Sequence, residues 1–192
     1  MYSINIYIFH LINNLATNKY INFFFSFCAQ YLIFIFLILV IIIWFYKKPL
    51  SENIDNKRIF MLSVFSSVIS WLIIDKLLGA IYYENRPFVI LKHVNLLFHY
   101  TANNSFPSDH SAVTMALASM IFIYNKKLGW GFIFLSILIG FSRVFSGVHY
   151  PDDIIVGFLS GILSTYIIYL LRHKLESIMK IGINIAEKIH LG

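Results

Sequence analysis

The sequence predicts an all-α protein, a polytopic transmembrane helix bundle of five spans with an interfacial helix at each end. Three observations predict it. Of 192 residues, 59% are hydrophobic and only 12% charged, whereas a soluble domain is about half apolar and a quarter charged. Uncharged runs recur at lengths suited to about 30 Å of hydrocarbon, and the basic residues gather in the segments that join them on one side. The same composition excludes other classes. Nineteen Phe, twelve Tyr and a single Cys fit neither a disordered chain nor a disulfide scaffold. The net charge of +6 is scattered between apolar runs instead of forming a patch, so a membrane role comes before nucleic acid, which is not expected as a partner.

The first span is Tyr20 to Tyr46, without a charge. It is too long for a signal-peptide core and has no basic stretch before it, so no cleaved leader is expected. The second runs from Ile59 to Ile74 and on past Asp75 and Lys76 to Tyr83; the third is Ser111 to Asn125, the fourth Leu128 to Ser142 and the fifth Ile154 to Leu171. Lys47, Lys48, Lys57 and Arg58 join spans one and two, Lys126 and Lys127 join three and four, and Arg172, Lys174, Lys180 and Lys188 follow span five. These are ten of the fifteen Lys and Arg, which places their loops and the C-terminus in the cytoplasm and the N-terminus outside. Residues 84–107 and 143–153 then face outward. At the C-terminus, Lys174 to Leu191 sets Leu175, Ile178, Met179, Gly182, Ala186 and Ile189 opposite Glu176, Lys180, Glu187 and Lys188, a pattern for a helix lying in the cytoplasmic interface. Met1 to Ala16 is uncharged, with Tyr2, Ile6, Phe9, Ile12 and Leu15 apolar, and is expected at the outer interface. With no repeat or linker, residues 1–192 read as one domain.

The ionisable residues interrupt these spans at one depth. Counted from the cytoplasmic anchors, Lys76, His110, Arg143 and Asp153 all rise roughly 24 to 29 Å, near the outer edge of the hydrocarbon. Snorkelling explains any one of them, Lys76 most easily; a layer of two Arg, two His and several carboxylates is a functional site by default. Arg86 and Arg143 offer planar donor forks that match phosphate oxygens, so the chemistry permitted is phosphoryl transfer. A structural ion pair between Arg86 and Glu84 is the plain alternative. Ser108-Asp109-His110 after Pro107 reads as a helix start with Ser108 as cap and an anion site at its free N–H groups. Asp109 would repel a phosphate there unless turned away or paired with Arg86 or Lys76. Pro151 opens the last helix between His149 and Asp153, so the carboxylate can fix one imidazole nitrogen and leave the other as a nucleophile. A metal centre competes poorly, because no helix carries a ligand pair at metal spacing and two arginines would repel a cation.

Arg86-Pro87, Pro107-Ser108-Asp109-His110 and Ser142-Arg143 with His149 and Asp153 together resemble the three-part signature of the type 2 phosphatidic acid phosphatase superfamily, which includes the vanadium haloperoxidases. Tyr82 to Phe88, Ser105 to His110 and Gly140 to Arg143 are most similar to its bacitracin-resistance type of undecaprenyl-diphosphatase. The resemblance implies that His149 forms a phosphohistidine, Asp153 orients it, and His110 protonates the leaving oxygen and later activates water. Arg86, Arg143, Ser108 and the backbone after it would hold the phosphate, with Lys76, Asp109 and Glu84 as further candidates and no metal or cofactor. Two positions depart from the family pattern. Gly79 stands where the family usually has a Lys seven residues before the first Arg, with Lys76 one turn away, and Asp109 stands where most members have Gly. The expected substrate is a polyprenyl diphosphate on the outer face of a bacterial cytoplasmic membrane, which would recycle the cell-wall carrier lipid. A phosphatidate or phosphatidylglycerol phosphate is the runner-up substrate, and a small transporter the alternative of another class.

Overall fold

The computed structural model describes residues 2–52 and 54–188, with the backbone alone for residues 2, 3 and 73–75. The described residues form ten α-helices: α1 Tyr2–Asn13, α2 Lys19–Gln30, α3 Leu32–Phe45, α4 Asn56–Ile69, α5 Lys76–Ile81, α6 Pro87–Ile90, α7 Asp109–Tyr124, α8 Lys126–Phe145, α9 Pro151–Leu171 and α10 Glu176–Lys188. A π-helical stretch, Ser70–Asp75, joins α4 to α5. Local chemistry sets several starts. Asn18, Asp55 and Asn125 accept backbone N–H groups of the first turns of α2, α4 and α8, and Pro151 occupies the first turn of α9, where its missing N–H costs nothing.

Three helices are long and apolar enough to cross a membrane: the continuous Asn56–Ile81, α8 and α9. The expected first span passes that test only as the pair α2 and α3, bent by 49° at Tyr31. Helix ends leave carbonyls without intrahelical partners, and at this break the Ala29 carbonyl accepts from Arg143 Nη1 at 3.0 Å. The expected third span, α7, has 16 residues, roughly 24 Å, which falls short of the length for a span. Its place in the bundle accounts for that. Ala112, Ala116, Leu117 and Met120 are buried against neighbouring helices, so α7 has little lipid to match.

Small residues let α9 close on α7. A Cβ on Gly161 would stand 2.6 Å from the Ala112 carbonyl, and one on Gly157 would stand 2.8 Å from that of Ser108. The interfaces also carry hydroxyl bonds, Thr165 to the Ala116 carbonyl at 3.0 Å and Thr114 with Ser136 at 2.7 Å, the polar contacts that hold helices in lipid. At the opposite end α10 lies along the start of α4, through Lys57 to Glu187 at 2.9 Å and Arg58 to Glu176 at 3.5 Å. Its Met179 is buried while Ile178, Ile181 and Ile185 are exposed, as an interfacial helix requires. Ile189 and Leu191, expected on that helix, lie outside the described residues, as do Met1 and the side chain of Tyr2. The N-terminal helix α1 sits at the other end, where Asn13 Nδ2 donates to the Phe145 carbonyl at 2.8 Å.

Candidate active site

At the end of the bundle that holds α1, the helix α5, the start of α7, the turn between α8 and α9 and the loops 82–86 and 91–108 surround a cavity of about 370 Å³. Lys76, Arg86, Tyr100, Asn103, His110 and His149 line it. A larger apolar groove of about 800 Å³ between α3 and α8 is lined mainly by Leu, Ile and Phe and offers no comparable set of groups.

His149 stands in the turn between α8 and α9, 2% exposed. Its Nδ1 lies 3.2 Å from Asp153 Oδ2, and its Nε2 lies 3.1 Å from Arg86 Nη1 and 3.5 Å from Arg143 Nη2. A guanidinium only donates, so Nε2 must accept and the ring proton sits on Nδ1, directed at Asp153. Burial first, then Arg143 and Arg86, hold this imidazole well below its ordinary pKa. The result is a neutral ring with its lone pair turned to two cations. Asp153 is fixed in turn: its Oδ2 also accepts the Tyr150 N–H at 2.8 Å and the Ser105 hydroxyl.

The two arginines are held by carbonyls and a ring. Arg86 donates to the carbonyls of Val148 and Asn104 at 2.8 and 3.0 Å and to Asn103 Oδ1 at 2.8 Å. No ion pair between Arg86 and Glu84 occurs among the described residues, which removes the plain alternative. An isolated bridge between Asn85 and Asn104 brings the two loops together and so delivers Arg86 to the imidazole. Arg143 is 1% exposed, and its buried Nε has no partner among the described residues. Both guanidinium carbons lie within 4.6 Å of the Tyr100 ring centroid, close enough for cation–π attraction.

The remaining expected residues fall into place differently. Lys76, one turn below Gly79, does reach the cavity, over the Trp71 ring and 3.5 Å from Asp109. Asp109 thus carries its own cation. His110 opens α7 on the wall shared with His149. Ser108 is at the cap position, but its side chain makes no capping bond; it is fully buried and accepts from Ser111 at 3.2 Å. The cap expectation is therefore corrected: the Ser108 N–H goes to the Asp153 carbonyl at 3.1 Å, which ties α7 to α9 across the site. Glu84 is 6% exposed and turned toward Asp152 and Asp153. Burial first, then Asp153 and Asp152, raise its carboxyl to about 7. Sequence reasoning quoted Ser105 within the 105–110 stretch without giving it a role, and it missed Tyr100, Asn103 and Asn104. The loop between the motifs carries no chemical pattern that marks them.

Known proteins resemble this chain over most of its length. The PAP2 superfamily model matches residues 59–177. The chain is 31% identical over 187 residues to the Bacitracin transport permease protein BcrC of Bacillus licheniformis, covering 97% of this chain and 89% of that one. It is 28% identical over 186 residues to the Undecaprenyl-diphosphatase BcrC of Bacillus subtilis strain 168, covering 96% and 93%. The crystal structure of Aquifex aeolicus LpxE superposes with a TM-score of 0.68 at 28% identity, covering 86% of this chain and 94% of that one.

Proposed function

The chain belongs to the PAP2 superfamily, and on that premise we propose that it removes the terminal phosphate of a polyprenyl diphosphate, undecaprenyl diphosphate in a bacterial membrane. One observation carries the reading: His149 Nε2 points its lone pair at Arg86 and Arg143 while Nδ1 is held by Asp153. The undecaprenyl-diphosphatase name of a relative that aligns over 96% of this chain supports the substrate class.

The terminal phosphoryl group enters beside the arginines and exchanges its oxygens for part of their hydrogen bonding to Nε2. That nitrogen attacks the phosphorus. An N–P bond forms, the bridging P–O bond breaks, and its electron pair leaves on the oxygen of the carrier monophosphate. His110 takes up a proton as the anionic phosphate binds beside it and delivers that proton to this oxygen. Neutral His110 then takes a proton from water, the water oxygen attacks the phosphorus, and cleavage of the N–P bond frees phosphate and restores His149. Fixed positive charge from Arg86, Arg143 and the N–H groups at the start of α7 matches the charge on the transferring group, so the reaction needs no metal. Lys76, paired with Asp109 at the rim, is placed for the second phosphate. The basic loops at the opposite end support a site on the outer face of the membrane.

The test is phosphate release measured side by side on undecaprenyl diphosphate and on phosphatidate or phosphatidylglycerol phosphate. The diphosphate is the expected preference, and preference for a monoester would overturn the substrate. Vanadate, a mimic of the trigonal-bipyramidal phosphoryl group, should inhibit. The permease name of one relative keeps a transporter as the competing reading, under which His149→Ala would leave function in place.

A further inference from the structure

Asp153 uses its two oxygens unequally. Oδ2 accepts from His149, Ser105 and the Tyr150 N–H, whereas Oδ1 is buried with no partner among the described residues. Glu84 repeats the pattern on the next segment, since its Oε2 is buried and unpartnered as well. One oxygen from each of Glu84, Asp152 and Asp153 lies within 4.8 Å of the other two. Two buried carboxylates and the half-buried Asp152 at that separation do not all stay ionised without a proton or a cation among them.

We propose that Glu84 is a positioning residue whose protonated carboxyl donates to Asp153 Oδ1 and completes the array that fixes His149. The proposal rests on the reading of His149 as the nucleophile. The fold supports this task. The Ser105 N–H donates to the Glu84 carbonyl at 2.8 Å, and the Glu84 N–H donates to Asn104 Oδ1 at 2.9 Å. The strip that carries Glu84 is thereby bound to the strip that carries Ser105, and one short pairing sets two donors against the same carboxylate. One proton is favoured over a divalent cation because the cluster sits at the first turn of α9, whose N–H groups present positive charge and oppose a double positive charge more than a single one. Asp152 Oδ1 is already engaged by the Asp153 N–H at 3.0 Å.

The titratable and charged groups facing Glu84 are Asp152 and Asp153 of α9. Arg86, on its own strip, is turned to the far side of the imidazole, against Nε2. Loss of the Glu84 proton therefore leaves the free oxygen of Asp153 without a donor and beside a second negative charge. Asp153 then turns, and His149 loses its orientation.

The experiment compares the full-length protein with Glu84→Gln, whose amide still donates but cannot ionise, and Glu84→Leu, which cannot donate. Infrared spectra of the substrate-free protein should show a protonated-carboxyl band at about pH 6 that fades by about pH 8.5, and Glu84→Gln should lose the larger part of it. In turnover, kcat of the wild type on undecaprenyl diphosphate should fall about fivefold or more between those pH values. The alkaline fall should be several-fold smaller in Glu84→Gln, and Glu84→Leu should lose kcat at both pH values with KM little changed. A carboxyl band that persists undiminished in Glu84→Gln, or an unchanged alkaline fall in that variant, overturns the proposal. So does manganese binding that Glu84→Gln abolishes, coupled to a metal requirement for turnover, which would give the cluster to a divalent cation. Because the infrared result needs no substrate, it separates failure of this proposal from failure of the nucleophile, which His149→Ala tests alone.

Discussion

Ser105 shows how a residue outside the family signature acts on the reaction. Its hydroxyl is fully buried and donates to the oxygen of Asp153 that also meets His149. A hydrogen bond to a charged group is worth about 1.5–3 kcal/mol, so Ser105→Ala should lower kcat roughly tenfold or more with KM nearly unchanged, and Ser105→Thr should recover much of it. Steady-state kinetics on both variants decide this. Tyr100 works on the other flank, with its ring near both guanidinium groups. Loss of cation–π attraction of about 0.5–2 kcal/mol predicts that Tyr100→Leu raises KM several-fold while Tyr100→Phe does not. Titration adds a pair of opposed effects. Glu84 is raised to about 7, above the ordinary carboxyl value, so its contribution to stability is full below about pH 4.5 and lost as pH rises through about 7. His149 is lowered, so the unfolded chain takes up a proton near pH 6.5 that the native ring refuses, and stability falls on that account as pH drops below about 6.5. Thermal melts across pH should show Glu84→Gln lose the first dependence and keep the second. Arg143, His149 and Asp153 were legible because they stand six and four residues apart in sequence, and Arg86 through its pairing with Pro87 in the resemblance. Ser105 and Tyr100 were not, since only the fold of a long loop brings them to the same carboxylate and the same guanidinium groups.

Helix packing decides whether those side chains meet. Gly157 and Gly161 bring the first turns of α9 against α7, and α7 carries His110 while α9 carries Asp153. A methyl at Gly161 would press on the Ala112 carbonyl and the Ala116 N–H, both backbone. Gly161→Ala should therefore destabilise by about 1–3 kcal/mol and depress kcat as well, because separation of the helices moves the acid from the nucleophile. Gly131, where an added Cβ meets nothing within 4 Å, is the control, and thermal melting with turnover reads both. The apolar runs made α4, α8 and α9 legible. The 49° bend at Tyr31 was not, because neither Pro nor Gly marks it; part of what the break provides is a tertiary contact, the Ala29 carbonyl received by Arg143. The shortness of α7 was legible in the run Ser111 to Asn125, while its reason was not. A helix surrounded by protein need not match the thickness of the bilayer, so hydropathy does not fix its length.

Across the whole molecule, chemistry and positive charge separate to opposite ends. Asn125 Nδ2 donates to the Leu50 carbonyl at 2.9 Å, and Arg58 meets both Asp55 and Glu176. The loops rich in Lys and Arg therefore form one face, with the His149 cavity at the other end of α8 and α9. A cysteine at exposed Thr101, beside the cavity, should react with an impermeant thiol reagent on intact cells, and one at Lys48 only after permeabilisation; Cys28 is buried and should not interfere. The reverse pattern would turn the site to the cytoplasm. The reaction turns on one atom, His149 Nε2. Undecaprenyl diphosphate labelled in its terminal phosphate should be mixed with the protein, quenched within a turnover without acid, and the peptides mapped. The account predicts label on the imidazole of His149, lost on addition of acid and absent from His149→Ala. Rapid turnover with no label on the protein, or label on any other residue, would contradict it.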